Sequence, residues 1–413
     1  MPLFRVVVTG LGVVTPVGNN VNDFWASLTS GTSGVDRLTT FDPQAFDSKI
    51  AGEVKNYDPK ATIPMKESRR MEKFCQFGVT AAQEAFKNSG IELAKEDPYD
   101  IGVLIGSGIG SLRIIEETHS IYLDRGPDKF SPFMIPLLIT NICSGWVSIL
   151  LGLKGPNLAV VSACATGTHA IGEAFRMIQH GQAKAMIAGG TESCITPLGI
   201  GGFCALKALS KHNDDPKGAS RPFDKDRDGF VMGEGAGVVV LEEWEHAKAR
   251  GAKIYGEVTG YALNADAFHI TAPHPEGEGA THCMKAALKD ARLNPEEITY
   301  INAHGTSTDL NDKVETLAIK KAFGDHAKKL QISSTKSMTG HTLGAAGGIE
   351  FVACCLSLRD QVLHPTINWT TPDPNCDLDY IPNVARKTTV NVCLSNSLGF
   401  GGHNTSLIVR KLI

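Results

Sequence analysis

Apolar runs of strand length recur along the chain, with stretches of helical periodicity between them. The first series covers residues 5–9, 101–105, 158–161, 185–188 and 238–241, and a second follows at 254–262, 300–302, 330–333 and 406–409. These runs are rich in Val, Ile and Leu and show little polar alternation, as strands covered on both faces require. Amphipathic helices are expected between them, among them 168–179 and 242–249. Alternating strands and helices predict an α/β protein built on a buried sheet.

The two series echo one another. Residues 100–111 can be laid on 298–308, and 157–175 on 329–351; each segment reads strand, Gly/Ser/Thr-rich turn, helix. The pattern predicts a duplicated α/β unit, one copy over 1–252 and the other over 253–413, joined near Arg250-Gly-Ala-Lys253. Ligands of open α/β sheets gather beyond the C-terminal ends of the strands. Those turns carry Cys164, His304 and His341.

Composition narrows the class. A chain of 413 residues has room for two cores, and 42 % hydrophobic against 20 % charged residues excludes a disordered chain. With Lys+Arg 40 against Asp+Glu 44 the net charge is −4, so general affinity for nucleic acid is not expected. The ten cysteines contain no C-x-x-C pair, which argues against zinc and a disulfide framework and for a reducing compartment. The adjacent Cys354 and Cys355 fit small buried residues of a helix. The N-terminus runs directly into a strand without a targeting pattern, and no stretch reaches the roughly 18 apolar residues of a membrane helix. A cytoplasmic protein without membrane insertion is expected.

Two motifs mislead. Asp224-Lys-Asp-Arg-Asp-Gly229 imitates the start of a calcium loop, but position 12 is Gly235 and Glu234 falls one residue early, so a structural polar turn is expected. Gly106-Ser-Gly-Ile-Gly110 looks like a phosphate cradle, yet it has neither dinucleotide spacing nor a following GK[ST]. A close backbone approach beside a site accounts for it better.

The chemistry concentrates in four segments. Cys164, in Ser162-Ala-Cys-Ala-Thr-Gly167, stands between a strand and the start of a helix. A helix N-terminus favours negative charge, so this thiol is expected to ionise more readily than an ordinary one. His304 and His341 lie on Gly-rich turns and could aim two N–H donors at one developing oxyanion. Lys336 and Glu350 flank His341, where a buried pair would set the local charge and hold the imidazole. Phe400 sits among Gly399, Gly401 and Gly402, either in a plain hairpin or in a mobile loop that brings a backbone N–H to the sulfur.

Together, ACATG around Cys164, NAHGTSTxxxD around His304, KSMTGHxxGAAG with Lys336 and His341, and NSxGFGG around Phe400 resemble the β-ketoacyl-acyl carrier protein synthases. The elongating Cys-His-His type, and within it the synthase II group, fits best, because the second His in TGH sets the chain apart from Cys-His-Asn initiating enzymes and Cys-His-Cys thiolases. The resemblance covers essentially the whole chain. It implies the thiolase fold, five layers αβαβα from two duplicated halves, usually as a homodimer. It further implies decarboxylative condensation of acyl- with malonyl-acyl carrier protein through an acyl-Cys164 intermediate, with phosphopantetheine arriving on the carrier. On the same resemblance Thr306 and Thr308 contact pantetheine, while Ile109 and Phe203 limit acyl length. Lys66, Arg69, Arg70, Lys129 and Lys207 match a carrier-docking patch. No cofactor is required, although a structural Na+ or K+ is implied at Asn302, Ala303, Glu350, Ser395 and Asn396. Asp128, where a basic residue is common, and Leu398, where Phe is frequent, depart from the pattern. A polyketide ketosynthase shares these residues; a chain-length factor lacks the Cys.

Overall fold

The computed structural model describes residues 3–412. Its main sheet contains β1 (Val6–Val14), β2 (Ile101–Gly106), β3 (Asn157–Leu158), β4 (Ala185–Glu192) and β5 (Gly235–Glu243), followed by β6 (Gly256–Ala265), β7 (Tyr300–Asn302), β8 (Gln331–Ser333), β9 (Val392–Gly399) and β10 (His403–Arg410). They run in the order β8-β7-β9-β10-β6-β1-β5-β4-β2-β3. The first five and the last five strands therefore follow one order, each strand of one set corresponding to the strand five later. The senses agree as well: β2 is parallel to β3 and β4, as β7 is to β8 and β9, and the remaining pairs in each set are antiparallel. The sets join where Val6–Val8 of β1 pairs with Gly256–Val258 of β6.

Helices α1 (Lys73–Ser89) and α2 (Ile142–Leu151) cover the outer face of the first set, and α4 (Glu278–Ala291) and α5 (Asp309–Phe323) that of the second. Between the sets lie α3 (Thr166–Gln179) and α6 (Ala346–Asp360), each touching strands of both. The layers thus follow αβαβα. Side chains alternate accordingly: on β5, Val239 and Leu241 enter the central core while Val238 and Val240 enter the outer one. This two-sided burial is why the strands read as continuous apolar runs.

Glycine permits the central layer to close. A Cβ on Gly237 of β5 would overlap the backbone nitrogen of Ile349, and one on Gly167 would stand 2.7 Å from the nitrogen of Gly348. Helix backbone therefore rests directly on strand and on helix.

The structure differs from the sequence pattern in three places. Of the apolar run 158–161 only Leu158 pairs in the sheet; the chain then leaves the ladder to form the turn that carries Cys164. The 242–249 helix is shorter: β5 continues to Glu243, whose carboxylate caps Trp244–Ala249. Strand β9 escaped the pattern because Ser395, Asn396 and Ser397 interrupt its apolar run, though all three are buried. Replacement of Gly237 by Ala is expected to cost about 3 kcal/mol by overpacking, read as a lower midpoint in chemical denaturation; an unchanged midpoint would show that the layers can part.

Candidate active site

Six segments follow the C-terminal ends of β2, β3 and β4 in the first strand set and of β7, β8 and β9 in the second. The segment after β3 ends in a single tight turn, Ala163–Ala165, with Ala163 at φ 50°, before α3 begins at Thr166. Its counterpart in the second half is the turn Leu343–Ala345 before α6, with Leu343 also at φ 50°. Cys164 and Gly344 are thus equivalent positions. Only the first carries a nucleophile, and the glycine lets the second turn pack against Glu192 and Gly108.

Cys164 lies on the wall of a cavity of about 380 Å3 that His304, His341, Phe203, Thr306, Thr308 and Phe400 also line. The His341 Nε2 is 3.0 Å from its Sγ. On the other ring nitrogen, His341 Nδ1 accepts the Leu343 N–H at 3.3 Å, so the neutral imidazole carries its proton on Nε2, toward the sulfur. His304 stands edge to face with His341, ring centroids 5.4 Å apart. Its Nδ1 faces the Lys336 ammonium at 3.4 Å, which leaves Nε2 as the protonated nitrogen here too. Two neutral imidazoles therefore offer N–H donors at the cavity wall.

Lys336 is buried, donates to the carbonyl of His304 at 2.6 Å and pairs with Glu350. The pair expected from sequence is present, but the imidazole that it holds is that of His304, not His341. Burial, and then the Lys336 charge, lower both histidines well below the usual imidazole range, so both stay neutral at neutral pH.

The thiol departs from expectation. Burial pushes Cys164 up to about 11, and the Lys336 charge and the N–H of Phe400, which both favour thiolate, do not offset it. The resting nucleophile is a thiol within a ring of donors. The Phe400 N–H stands near enough to the sulfur to favour its thiolate form. Phe400 occupies a β-hairpin between β9 and β10, so hairpin and loop describe the same element. Gly401 and Gly402 adopt φ 89° and 73°, and the Gly401 N–H and Gly402 carbonyl bond Ile270 and Asp266.

Among the remaining residues singled out, the hydroxyls of Thr306 and Thr308 lie 2.9 Å apart on the cavity wall. Phe203 sits 6.3 Å from the Phe400 ring, and Ile109 packs in the same apolar cluster as Cys164. Leu398 also lines the cavity. Lys66, Arg69, Arg70, Lys129 and the departing Asp128 are exposed away from it; Lys207 alone of the basic set reaches the cavity mouth. Arg70 lies over the Phe133 ring at 5.2 Å. Asn302, Ala303, Glu350, Ser395 and Asn396 are buried, and Ser395 is the sheet partner of Asn302. Among the described residues Asn302 Oδ1, Glu350 Oε2 and Ser395 Oγ have no hydrogen-bond partner, a hard all-oxygen set that fits a monovalent cation. The Asn396 side-chain oxygen is taken by Ser406 at 2.8 Å. The acidic run 224–228 is a polar turn: Asp224 accepts from Thr370 and Thr371, and Arg227 binds Asp373.

Residue-type reasoning missed the carboxylates that shape the turns. Glu315 accepts the N–H groups of His304 and Gly305, both at 2.8 Å, and Asp312 accepts those of Thr306 and Ser307 at 3.0 and 3.2 Å. Burial raises Glu315 to about 7. The signal available was an acidic pair on the helix just after NAHGTST.

Comparison with known proteins agrees with this geometry. Residues 4–247 match the family model described as beta-ketoacyl synthase, N-terminal domain, and 255–370 match beta-ketoacyl synthase, C-terminal domain. The chain is 55 % identical over 407 residues to the 3-oxoacyl-[acyl-carrier-protein] synthase 2 of Synechocystis sp., covering 98 % of each. It is 54 % identical to that of Coxiella burnetii, covering 99 % of each. Among solved structures, a ketosynthase in complex with its type II polyketide acyl-carrier protein and bound to the hexaketide superposes with a TM-score of 0.93 at 38 % identity, covering 100 % of each chain.

If the resting thiol titrates at about 11, its alkylation by iodoacetamide rises about tenfold per pH unit from pH 7 to 10. Peptide mapping of modified Cys164 across that range checks this; a plateau beginning below pH 7 would contradict it.

Proposed function

We infer the function from one premise: the chain belongs to the β-ketoacyl synthase family. It is a condensing enzyme of fatty-acid elongation, joining an acyl group to a two-carbon unit from malonyl-acyl carrier protein to give 3-oxoacyl-acyl carrier protein, CO2 and free carrier. The observation that carries the assignment of roles is the approach of His341 Nε2 to Cys164 Sγ at 3.0 Å, across 177 residues of sequence. Identity of 55 % to elongation synthases, against 38 % to the polyketide ketosynthase, favours the fatty-acid reading. The presence of Cys164 disfavours a chain-length factor.

In the first half-reaction the Cys164 sulfur attacks the thioester carbonyl of acyl-acyl carrier protein. The Phe400 N–H, already near the sulfur, and the Cys164 N–H stabilise the tetrahedral oxyanion, and the pantetheine thiol leaves with the nucleophile's proton. In the second, malonyl-acyl carrier protein enters. The bond to the carboxylate breaks, and its electron pair passes to an enolate whose oxygen accepts from His304 Nε2–H and His341 Nε2–H. The enolate carbon attacks acyl-Cys164, and the thiolate departs and is reprotonated. Neutral donors suit this step, because they stabilise the developing oxyanion without neutralising the malonyl carboxylate that must leave.

Thr306 and Thr308 face the arm of the substrate, and Ile109 and Phe203 limit the acyl end. The Phe400 ring, close to Phe203, orders the two half-reactions by clearing the malonyl site once an acyl chain is seated. The smaller Leu398 beside it loosens that order. Lys66, Arg69, Arg70, Lys129 and Lys207, exposed and without ion-pair partners among the described residues, serve as the steering patch for an acidic carrier, which Asp128 weakens. Asn302, Glu350 and Ser395, with backbone oxygens of Ala303 and Asn396, would hold Na+ or K+; the ion would balance Glu350 and stiffen the strands behind Lys336.

The units 1–252 and 253–413 form the two halves, a reading supported by their common strand order. A homodimer is supported by β3, which bonds only β2, and by exposed Ile149 and Val161 beside it. Ten free cysteines support a cytoplasmic setting. No helix among the described residues is long and apolar enough to cross a membrane.

Incubation with acyl-acyl carrier protein followed by mass spectrometry is expected to find the acyl group on the Cys164 peptide, and none in Cys164→Ala. His304→Ala and His341→Ala should still acquire acyl groups while releasing CO2 from malonyl-acyl carrier protein at least ~100-fold more slowly. An adduct on another cysteine, or normal CO2 release by both histidine variants, would overturn these roles. Phe400→Ala is expected to acylate normally but to condense more slowly, with less preference for acylated over empty enzyme; unchanged kinetics in a stopped-flow assay would remove the gate.

A further inference from the structure

The carboxylate of Glu192, at the end of β4, is fully buried and no basic side chain pairs with it among the described residues. Every group that meets it is a donor. Oε1 accepts from Ser107 Oγ at 2.6 Å, from the Ile109 N–H at 3.3 Å and from Cys194 Sγ at 3.5 Å. Oε2 accepts from the Gly108 N–H at 2.8 Å and the Gly344 N–H at 3.1 Å. The Gly-rich run 106–110 thus does cradle an anion, but one supplied by the protein itself. The fit is tight, since a Cβ on either Gly108 or Gly344 would stand 2.7 Å from Oε2.

We propose that Glu192 is a positioning residue for acyl-chain selectivity, its carboxylate locking the backbone of Ile109 and clamping that turn to the turn that follows His341. The proposal rests on the function given above, in which Ile109 borders the acyl end. Ile109 shares an apolar cluster with Cys164, Phe203 and Leu343. Its main chain is therefore held by Oε1 while its side chain faces the acyl path. Through Oε2 the same carboxylate fixes Gly344, the neighbour of Leu343, whose N–H bonds His341 Nδ1. One group thus ties the acyl pocket to the catalytic imidazole across both halves of the chain.

Glu192→Gln separates these ties by chemistry alone. An amide retains one acceptor, and its oxygen is best placed at the Oε2 position, where two backbone N–H groups have no alternative. The NH2 then points at Ser107 Oγ, which can accept, and at the Ile109 N–H, which cannot. Ile109 is released while Gly344 is kept. A freed Ile109 should yield to longer acyl groups.

The test is a competition between short- and long-chain acyl-acyl carrier proteins, reading the ratio of their kcat/KM values. Glu192→Gln is expected to shift the ratio toward the long chain by about tenfold, and to leave it unshifted when made in an Ile109→Ala background, where the wall is already gone. Ser107→Ala keeps the carboxylate but removes the 2.6 Å donor that orients Oε1 toward the Ile109 N–H, so Ile109 is held less firmly and the ratio should shift the same way by a smaller factor; this variant serves if Glu192→Gln does not fold. Equal losses for both substrates, or the same shift in both backgrounds, would overturn the role of Glu192. A wild-type enzyme that condenses neither substrate would instead remove the function on which the role depends.

Discussion

Every distance in the site depends on how closely the two central helices begin beside one another. Gly167 at the start of α3 meets Gly348 at the start of α6, with no side chain between them; Gly167 presses on β4 at Gly190, and Gly348 on β4 and β5 at Gly190 and Gly237. Because backbone touches backbone, the relation between the helices is set by hard contacts rather than by adjustable side chains. That contact carries Cys164, from the first half, to within 3.0 Å of His341, from the second. A side chain at any of these glycines would widen the gap by ångströms, and proximity catalysis tolerates no such shift.

The electrostatics follow a consistent division. Titratable groups are kept behind the reacting atoms: Lys336 with Glu350 beneath His304, Glu315 and Asp312 beneath the 304–307 turn, Glu192 beneath Ile109 and Gly344. Facing the cavity are a thiol, two neutral imidazoles and backbone N–H groups. Glu192 and Glu315, which have no ion-pair partner among the described residues, are accommodated because several N–H donors converge on each. In return they hold turns whose own N–H groups would otherwise be unpaired. The outcome is a rigid, neutral donor wall, suited to charge that appears only as the reaction proceeds.

Beside that wall stands the 399–402 hairpin, with two residues at positive φ and two backbone bonds to the segment around 266–270. Its Phe400 ring lies 6.3 Å from Phe203 at the cavity, where the proposed gate would act, while carboxyl groups hold the turns of Ile109, His304 and Gly344.

Much of this was legible in the amino-acid order. Two-sided burial leaves uninterrupted apolar runs, so the α/β class, most strands and the duplication could be read directly, and the turns bearing Cys164, His304, His341 and Phe400 fell at strand ends where glycine, threonine and serine accumulate. Strand β9 was hidden because buried Ser395, Asn396 and Ser397 interrupt its apolar run, and the partners that make this burial tolerable for Asn396 and Ser397, Ser406 and Thr168, are supplied only by the fold. Which imidazole Lys336 holds, the raised thiol of Cys164, and the donors that converge on Glu192 were decided only by tertiary structure. Each depends on desolvation and on partners far apart in sequence, 32 residues for Lys336 and His304 and 152 for Glu192 and Gly344. Periodicity records which side of an element is buried; it carries no information on what a buried charge will meet there.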